Sequence, residues 1–287
     1  MTALIEQMAV NGLMAGLVYT LMALGFTLVF GIMRMVNFAH GELYMVGAFA
    51  VLALNGYLGL GYFPAVILAT LITAIFGAVV ERVLYRPFVG RELGGMIMSL
   101  AVAITLQALA LIFFGPADQS VERPVTGTWR LHEAVVPLDR TLVAVCAVVA
   151  LMAFHLFLRH TRLGLAMQAV AQDRDTASLM GVEAGSVYLR SFAIASALAG
   201  FAGALMAPVY TVAPTMGELP MLKAFVVVIL GGLGSVPGAM LGGLLIGLSE
   251  SVFATLFDTT LALIASFVIV LAVIVVKPNG LWGRAAR

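Results

Sequence analysis

Long uncharged runs dominate the chain, and short polar segments separate them. A membrane hydrocarbon core about 30 Å thick needs roughly 20 apolar residues for each spanning helix. Most of the runs reach or approach that length, so the pattern predicts an all-α integral membrane protein with about nine transmembrane segments. The predicted spans are residues 8–32, 43–60, 62–80, 93–115, 141–158, 191–212, 224–236, 238–257 and 260–276.

The seventh run, 224–236, is too short to cross the membrane as a straight helix, and its end reads GGLGSVPG. Broken helices are tolerated at membrane depth only where protein or a water-filled cavity satisfies the backbone. An alternative with eight spans therefore joins 224–257 into one long helix. The hydrophobic pattern alone does not show whether segment 224–236 crosses the membrane or re-enters it from one side.

The positions of Lys and Arg favour nine spans, with the N-terminus outside and the C-terminus in the cytoplasm. Cytoplasmic loops carry the excess of positive charge. With eight spans the inner and outer sides hold eight and seven basic residues. With nine spans the outer side holds four, and the inner side holds eleven: Arg34, Arg82, Arg86, Arg91, Arg159, Arg162, Arg174, Arg190, Lys277, Arg284 and Arg287.

Composition supports the membrane class and narrows the chemistry. The chain is 62% hydrophobic and 10% charged, whereas soluble domains carry about 25% charged residues. A net charge of +1 argues against a nucleic-acid partner. The first apolar run lacks a basic leader, so we expect no cleavable signal peptide. Cys146 is the single cysteine, and the histidines are scattered, so neither a disulfide nor a metal site is expected.

A nine-residue phrase occurs twice, as GELYMVGAF at 41–49 and GELPMLKAF at 217–225, with six identical positions. GYFPAVIL at 61–68 and GSVPGAML at 234–241 repeat at nearly the same offset. Five predicted helices separate equivalent points, and an odd number places the second half upside down in the membrane. The alternative is chance recurrence of Gly-Glu-Leu turns where membrane helices begin.

We therefore predict that residues 1–287 form a single transmembrane permease domain containing an inverted repeat. Inverted repeats place a substrate path at the repeat interface, often through discontinuous helices. The first repeat covers about 8–115 and the second about 191–276. Helix 141–158 and a cytoplasmic loop, 159–190, link them, and the family resemblance described below implies that this loop couples the domain to its partners.

Polar residues near the repeated phrases are the candidates for a path or gate. Ionisable groups at membrane depth are costly and usually face a cavity or a partner. The alternative is that such residues lie in the membrane interface, where an acid favours a helix N-terminus, or at a hydrated outer end in the case of Glu250. The candidates are Asn37, His40, Glu42, Glu218, Lys223 and Glu250.

The inner loop contains a predicted short amphipathic helix over 169–180 that ends at Gly181. Glycine is the usual residue just past a helix C-terminus. The polar face mixes acid and base, whereas a helix lying on the bilayer would favour Lys and Arg. We therefore favour docking into the groove of a partner.

The absence of catalytic motifs argues against an enzyme. The sequence contains no GxxxxGK[ST] phosphate loop, no HExxH motif and no nucleophile elbow. The chain therefore cannot drive an ATP cycle alone. The closely spaced glycines of GGLGSVPGAMLGGLLIG, including Gly238–Gly242 and Gly243–Gly247, are most simply explained by close helix packing.

Several segments together resemble the permease subunits of high-affinity branched-chain amino acid ABC importers. They lie in family order across both halves, and the match is poorest in the outer loop 116–140. The segments are ALGFTLVFGIMRMVNFAHGELYMVGAF (23–49), ERVLYRPF (81–88), AVAQDRDTASLMGV (169–182), KAFVVVILGGLGSVPGAMLGGLLIGLSE (223–250) and KPNGLWG (277–283).

The resemblance implies a transport subunit of the bacterial inner membrane that binds no cofactor itself. Its implied partners are a homologous second permease, two cytoplasmic ATP-binding subunits that hold ATP and Mg, a periplasmic substrate-binding protein and membrane lipids. A degenerate form of the ABC coupling motif falls on Asp175, Thr176, Ala177 and Gly181, beside Arg174.

The implied substrate is a branched-chain or related apolar amino acid. Permeases for urea and short amides share the resemblance and are one alternative. The other is a secondary transporter driven by protons through His40, Glu42 or Glu250.

Overall fold

Each predicted span contains a helix in the computed structural model, which describes residues 2–283. The helices are α1 (Thr2–Met33), α2 (His40–Gly56), α3 (Tyr62–Val80), α4 (Glu92–Phe114), α5 (Leu138–His160), α6 (Arg162–Gln172), α7 (Arg174–Leu179), α8 (Ala184–Met206), α9 (Glu218–Gly231), α10 (Val236–Leu256) and α11 (Thr259–Val276). A π-helical turn, Glu81–Tyr85, and a 3-10 turn, Arg86–Phe88, extend α3. The predicted all-α class is thus right for the membrane part of the chain.

Helix length supports seven membrane crossings among the described residues. The helices long and apolar enough are α1, α3 with its extension, α4, α5, α8, α10 and α11. The remaining two candidates are α2, with 17 residues, and α9, with 14. At 1.5 Å per residue they are only about 26 and 21 Å long. Helix α9 begins inside the second repeated phrase, and α2 begins one residue before the first.

Two predicted boundaries are corrected by the structure. A single helix over 224–257 is wrong, because α9 ends at Gly231 and Gly232 takes a left-handed φ of 101° before α10 begins. The predicted span 191–212 is shifted, because α8 begins at Ala184 and ends at Met206. The residues after Met206 leave the helix before the second repeated phrase.

The outer loop contains a small β-hairpin that the all-α prediction missed. Strands β1 (Thr128–Leu131) and β2 (Ala134–Pro137) pair antiparallel, with Thr128 opposite Pro137. The two-residue turn between them has His132 at a left-handed φ of 57°. The hairpin contacts the start of α1, where the backbone N–H of Val135 donates to Gln7 Oε1 at 2.9 Å.

Glycines bring α1 and α10 into backbone contact. A Cβ at Gly12 would lie 2.8 Å from the Cα of Leu248, and one at Gly16 would lie 2.9 Å from the carbonyl oxygen of Gly243. A Cβ at Gly247 would overlap the backbone of Gly16. These distances leave no room for side chains, so the predicted packing role is confirmed for Gly243 and Gly247.

A second close-packed layer joins α2 and α3 to α8. A Cβ at Gly47 would overlap the backbone of Gly200 in α8, and one at Gly200 would meet the side chain of Thr73 in α3. Tyr62 at the start of α3 donates its hydroxyl to the carbonyl oxygen of Ala204, at 3.2 Å. Helix α8 is therefore held on two sides in the middle of the molecule.

The basic segments gather at one end of the helices, away from the hairpin. Arg34 follows α1 and lines a cavity with Val89 and Asp173. The C-terminal segment reaches the same end, because Leu281 N–H donates to Leu230 O at 2.9 Å. At the opposite end, residues 119 and 212 form an isolated antiparallel β-bridge. The end that holds Arg34 and the C-terminal segment is the one assigned to the inner side from the positions of Lys and Arg.

We expect the α1–α10 contact to be intolerant of any large side chain. Gly247→Leu should lower the midpoint of thermal unfolding in detergent, because overpacking a close contact costs about 1–3 kcal/mol. Gly56→Leu is the matched control, since a Cβ at Gly56 meets nothing within 4 Å. Fluorescence-detected size-exclusion after heating measures both. Equal midpoints for the two variants would contradict the packing role.

Candidate functional site

Residues 34–39 leave the helical conformation between α1 and α2, and side chains satisfy their backbone. Asn37 is buried, and its Oδ1 accepts from Ala39 N–H at 3.1 Å and from the Tyr85 hydroxyl at 2.8 Å. Phe38 N–H donates to Ser99 Oγ at 3.1 Å. Irregular backbone at membrane depth needs such protein partners. Asn37 therefore stabilises the non-helical segment between α1 and α2.

His40 is fully buried against α1. Its Nε2 lies 3.1 Å from the carbonyl oxygen of Met22, so this nitrogen is the protonated donor. The Phe26 ring packs edge-on, with ring centroids 6.0 Å apart. Among the described residues no carboxylate pairs with His40. Its geometry is that of a packing residue that fixes the start of α2.

The starts of the two repeated phrases meet in space. A Cβ at Gly41 would overlap the carbonyl oxygen of Gly217, and a Cβ at Gly217 would overlap that of Gly41. The next residue in each phrase is a glutamate, and both glutamates share one donor. Gln107 Nε2 lies 2.9 Å from Glu42 Oε1 and 3.2 Å from Glu218 Oε1.

Helices α2 and α9 run in opposite directions from this meeting point. Along α4, Glu42 lies at Gln107 and Phe49 stacks on Phe114, with centroids 4.4 Å apart, so α2 runs parallel to α4. Phe225 packs on Phe38, which is bonded to Ser99, so α9 runs antiparallel to α4. The N-termini of α2 and α9 are therefore adjacent, and the two helices lead away from each other.

Sequence reasoning missed Gln107. It lies within a predicted span, in the apolar run AVAITLQALALIFF. Its long polar side chain in such a run is the signal that could have identified it. It is half-buried, whereas Glu42 is 3% exposed and Glu218 is open at the surface. Gln107 thus connects a buried carboxylate to an exposed one.

Lys223 and Glu250 form a second polar cluster with Tyr19. Lys223 pairs with Glu250 Oε1, donates to the Tyr19 hydroxyl at 2.6 Å and lies 4.7 Å from the centroid of that ring. Both charged side chains are mostly buried. Glu250 is therefore stabilised by a cation inside the protein, and the pair ties α9 to α10 and α1.

The predicted single helix over 169–180 is wrong, because the chain breaks at Asp173. Asp173 is extended, with φ −152° and ψ 110°, and it separates α6 from α7. Its Oδ1 accepts from Thr176 N–H at 2.9 Å, which is the usual contact of an N-cap aspartate. This hydrogen bond holds the pKa of the Asp173 carboxyl below its usual range.

Helix α7 ends in an exposed apolar tip. Leu179 and Met180 are 87% and 81% exposed, whereas Ala177 is buried against the protein. Gly181 has φ 85°, its N–H donates to Ser178 O, and Val182 N–H donates to Ala177 O. These two bonds form a Schellman motif, which fixes the end of the helix.

The remaining predicted coupling residues lie in the first turn of α7, before that tip. Arg174 lies 5.7 Å from the Tyr188 ring centroid on α8, and Asp175 and Thr176 are exposed. A cavity of about 440 Å³ separates α7 from the end of α1. Its lining combines both polar and apolar side chains: Ile32, Met33, Arg34, Met35, Phe88, Val89, Gly90, Glu92, Val170, Gln172, Asp173, Arg174, Asp175 and Tyr188.

Comparisons with known proteins cover nearly the whole chain. The family model described as "Branched-chain amino acid transport system / permease component" matches residues 8–276. No solved structure matches. The chain is 35% identical over 293 residues to the high-affinity branched-chain amino acid transport system permease protein BraD of Pseudomonas aeruginosa. That alignment covers 97% of this chain and 95% of the relative.

Two relatives from one organism extend the comparison. The chain is 33% identical to the permease protein LivH of Escherichia coli K12, over 97% of this chain and 95% of LivH. It is 25% identical to the permease protein LivM of the same organism, over 92% of this chain and 68% of LivM. Both names place those proteins in a high-affinity branched-chain amino acid transport system. This chain belongs to the family of branched-chain amino acid transport system permease components.

Proposed function

We propose that this chain is one permease subunit of an ABC importer that moves branched-chain amino acids into the cell, driven by ATP on partner subunits. The observation that carries the proposal is that the family match, residues 8–276, contains both meeting helix starts and the exposed α7 tip. A translocation centre and a coupling surface therefore lie in the same matched chain.

Residues around the two helix starts form the proposed path or gate. Asn37, His40, Glu42 and Glu218 lie at or beside the contact of Gly41 with Gly217. The opposite directions of α2 and α9 support an inverted repeat of about 8–115 and 191–276, joined by 141–158 and 159–190. With α2 and α9 counted as segments, the membrane domain of residues 1–287 has nine.

The ion pair of Lys223 with Glu250 contributes a second gating element. Burying two charges is costly, and their attraction compensates only when the geometry is good and further hydrogen bonds help. Tyr19 supplies such a bond to Lys223. Movement of α9 away from α10 would separate the charges, so the pair favours the conformation seen here.

The coupling surface consists of Arg174, Asp175, Thr176, Ala177 and Gly181 with the exposed apolar tip. Leu179 and Met180 would enter a groove on a cytoplasmic ATPase, because two exposed apolar side chains at the end of a short, firmly capped helix suit helix-in-groove binding. ATP and Mg would be bound by the two ATPases, and this chain would hold no cofactor.

The partners follow from this assignment. LivH and LivM are two distinct permease proteins of one organism, and both resemble this chain. We therefore include a homologous second permease, together with a periplasmic binding protein and membrane lipids. The N-terminus would lie outside the bacterial inner membrane and the C-terminus in the cytoplasm, because the basic segments share the end that carries α7.

Urea and short amides are the alternative substrates of such an importer. The names of the relatives favour amino acids. A proton-driven secondary transporter is less favoured, since the described structure holds His40, Glu42 and Glu250 in three separate contacts. No proton relay connects these three side chains in the described hydrogen-bond network.

Reconstituted uptake tests the proposed function. Proteoliposomes containing this chain, its second permease and the ATPases, supplied with the binding protein, should accumulate labelled leucine when ATP is inside. ADP in place of ATP should abolish the accumulation, and labelled urea should not accumulate. Uptake by this chain alone, driven by a proton gradient, would contradict the proposal.

The α7 tip should be required for ATPase binding. Leu179→Asp with Met180→Asp should reduce co-purified ATPase about tenfold or more, because a buried apolar contact of about 1.4 kcal/mol corresponds to a factor of ten. Tyr57→Asp with Leu58→Asp is the control, since these exposed residues lie at the opposite end. Undiminished ATPase on the first variant would exclude α7 as the docking element.

Cysteine labelling tests the orientation. In a Cys146→Ala background, Ser120→Cys should react with an impermeant maleimide from outside intact cells. Arg162→Cys should react only after permeabilisation, since the positive-inside pattern places residue 162 in the cytoplasm. Both positions are exposed in the structure, so labelling depends only on the side of the membrane from which the reagent arrives. The reverse labelling pattern would invert the proposed topology.

A further inference from the structure

Glu42, Gln107 and Glu218 form a cluster whose charge is unbalanced within the described residues. Two carboxylates lie within 3.2 Å of one amide nitrogen, which can donate one hydrogen to each. Like charges this close repel each other, and low polarity strengthens the repulsion. Lys223, five residues beyond Glu218 on α9, is held by Glu250 and Tyr19 instead.

Glu42 is the buried member of this cluster, and one of its two carboxylate oxygens has no partner in the described structure. Its side chain is 3% exposed, and its Oε1 accepts from Gln107. Its Oε2 is buried and has no hydrogen-bond partner in the described structure. A buried polar atom without a partner is destabilising, because it has lost its hydrogen bonds to water. A ligand that donates hydrogen bonds and carries positive charge would remove that cost.

The cluster opens on a face that must be covered in the membrane. Glu218 is exposed, and Gln107 is half-buried, although both lie on helices of the membrane domain. A carboxylate in contact with lipid is expensive, so such residues face a water-filled cavity or a partner. Glu218 is therefore open to a solute wherever a water-filled path runs along this face.

Aliphatic side chains flank the cluster on α4. Ile104 and Leu111 lie three residues before and four residues after Gln107, so all three share one helix face. Both are exposed, at 67% and 47%. An acidic pair with exposed aliphatic neighbours fits a solute that has an ammonium group next to a branched hydrocarbon.

We infer that Glu42 and Glu218, held in position by Gln107, bind the α-ammonium group of the transported amino acid. This inference rests on the proposed function and adds a substrate contact to it. The ammonium group would donate to the unpartnered Glu42 Oε2 and to the exposed carboxylate of Glu218. The positive ends of α2 and α9 stabilise the carboxylates when no substrate is present.

Saturation-transfer NMR on the assembled permease complex in nanodiscs, without binding protein, tests the inference. The probes are leucine, 3-methylbutylamine, which keeps the ammonium, and 4-methylpentanoate, which keeps the carboxylate. We expect leucine-displaceable signal from the amine and none from the acid. Glu42→Gln with Glu218→Gln should weaken leucine and amine binding at least tenfold, since hydrogen bonds to charged groups are stronger than those between neutral groups.

Controls separate this inference from folding and from the proposed function. Glu122→Gln, in the outer loop, should bind like wild type, and Gln107→Leu should weaken the amine in the same direction as the double variant. Wild-type complex that imports leucine with ATP, yet binds the acid as well as the amine, would overturn the inference alone. Unchanged binding by the double variant would also overturn it. A wild-type complex that imports no amino acid would overturn the proposed function and the inference together.

Discussion

Gly41 and Gly217 place the starts of α2 and α9 in direct backbone contact, and the centre of the protein is arranged around that contact. Neither position leaves room for a side chain. Half-helices at membrane depth need every backbone group satisfied by protein or water. Asn37, Tyr85 and Ser99 do this before α2. The glutamate that follows each glycine then meets the positive end of its own helix.

The glycine contacts elsewhere serve this central arrangement. Helix α8 packs so closely on α2 and α3 that Gly200 touches both Gly47 and Thr73. Helix α1 packs on α10 through Gly16 and Gly243. In lipid, close packing takes over the role that hydrophobic burial has in water. The two layers keep α2 and α9 aligned although neither is long enough to anchor itself across a bilayer.

Hydropathy located each apolar helix, because apolar length is a local property that the sequence shows directly. It could not give their ends, which depend on contacts distant in sequence. The break at Asp173 is an example. The periodicity of 169–180 suits one helix, yet the Asp173 carboxylate caps Thr176 and starts a new one. The hairpin was missed because its eight strand residues lie in a short polar loop.

The sequence identified some residues of the candidate site and missed others, because it shows polar residues but not which of them meet in the fold. The repeated phrases identified Glu42 and Glu218, since the glutamate recurs in each. Their common partner Gln107 lies on α4, outside both phrases, so only the fold brings it there. Lys223 and Glu250 were chosen separately, and the structure shows that they are partners. Sequence patterns identify costly polar groups, whereas their pairing depends on how the helices pack.

A connection from the α7 tip to the central glutamates follows from close packing. The Schellman turn at Gly181 leads directly into α8. Helix α8 cannot slide along α2 without separating Gly200 from Gly47, because the two backbones are in direct contact with no side chain between them. A force applied at Leu179 and Met180 would therefore move α8 and α2 together. Since Glu42 lies in the first turn of α2, such a movement would change its distance from Glu218 on α9, a helix that the Lys223–Glu250 pair ties to α10.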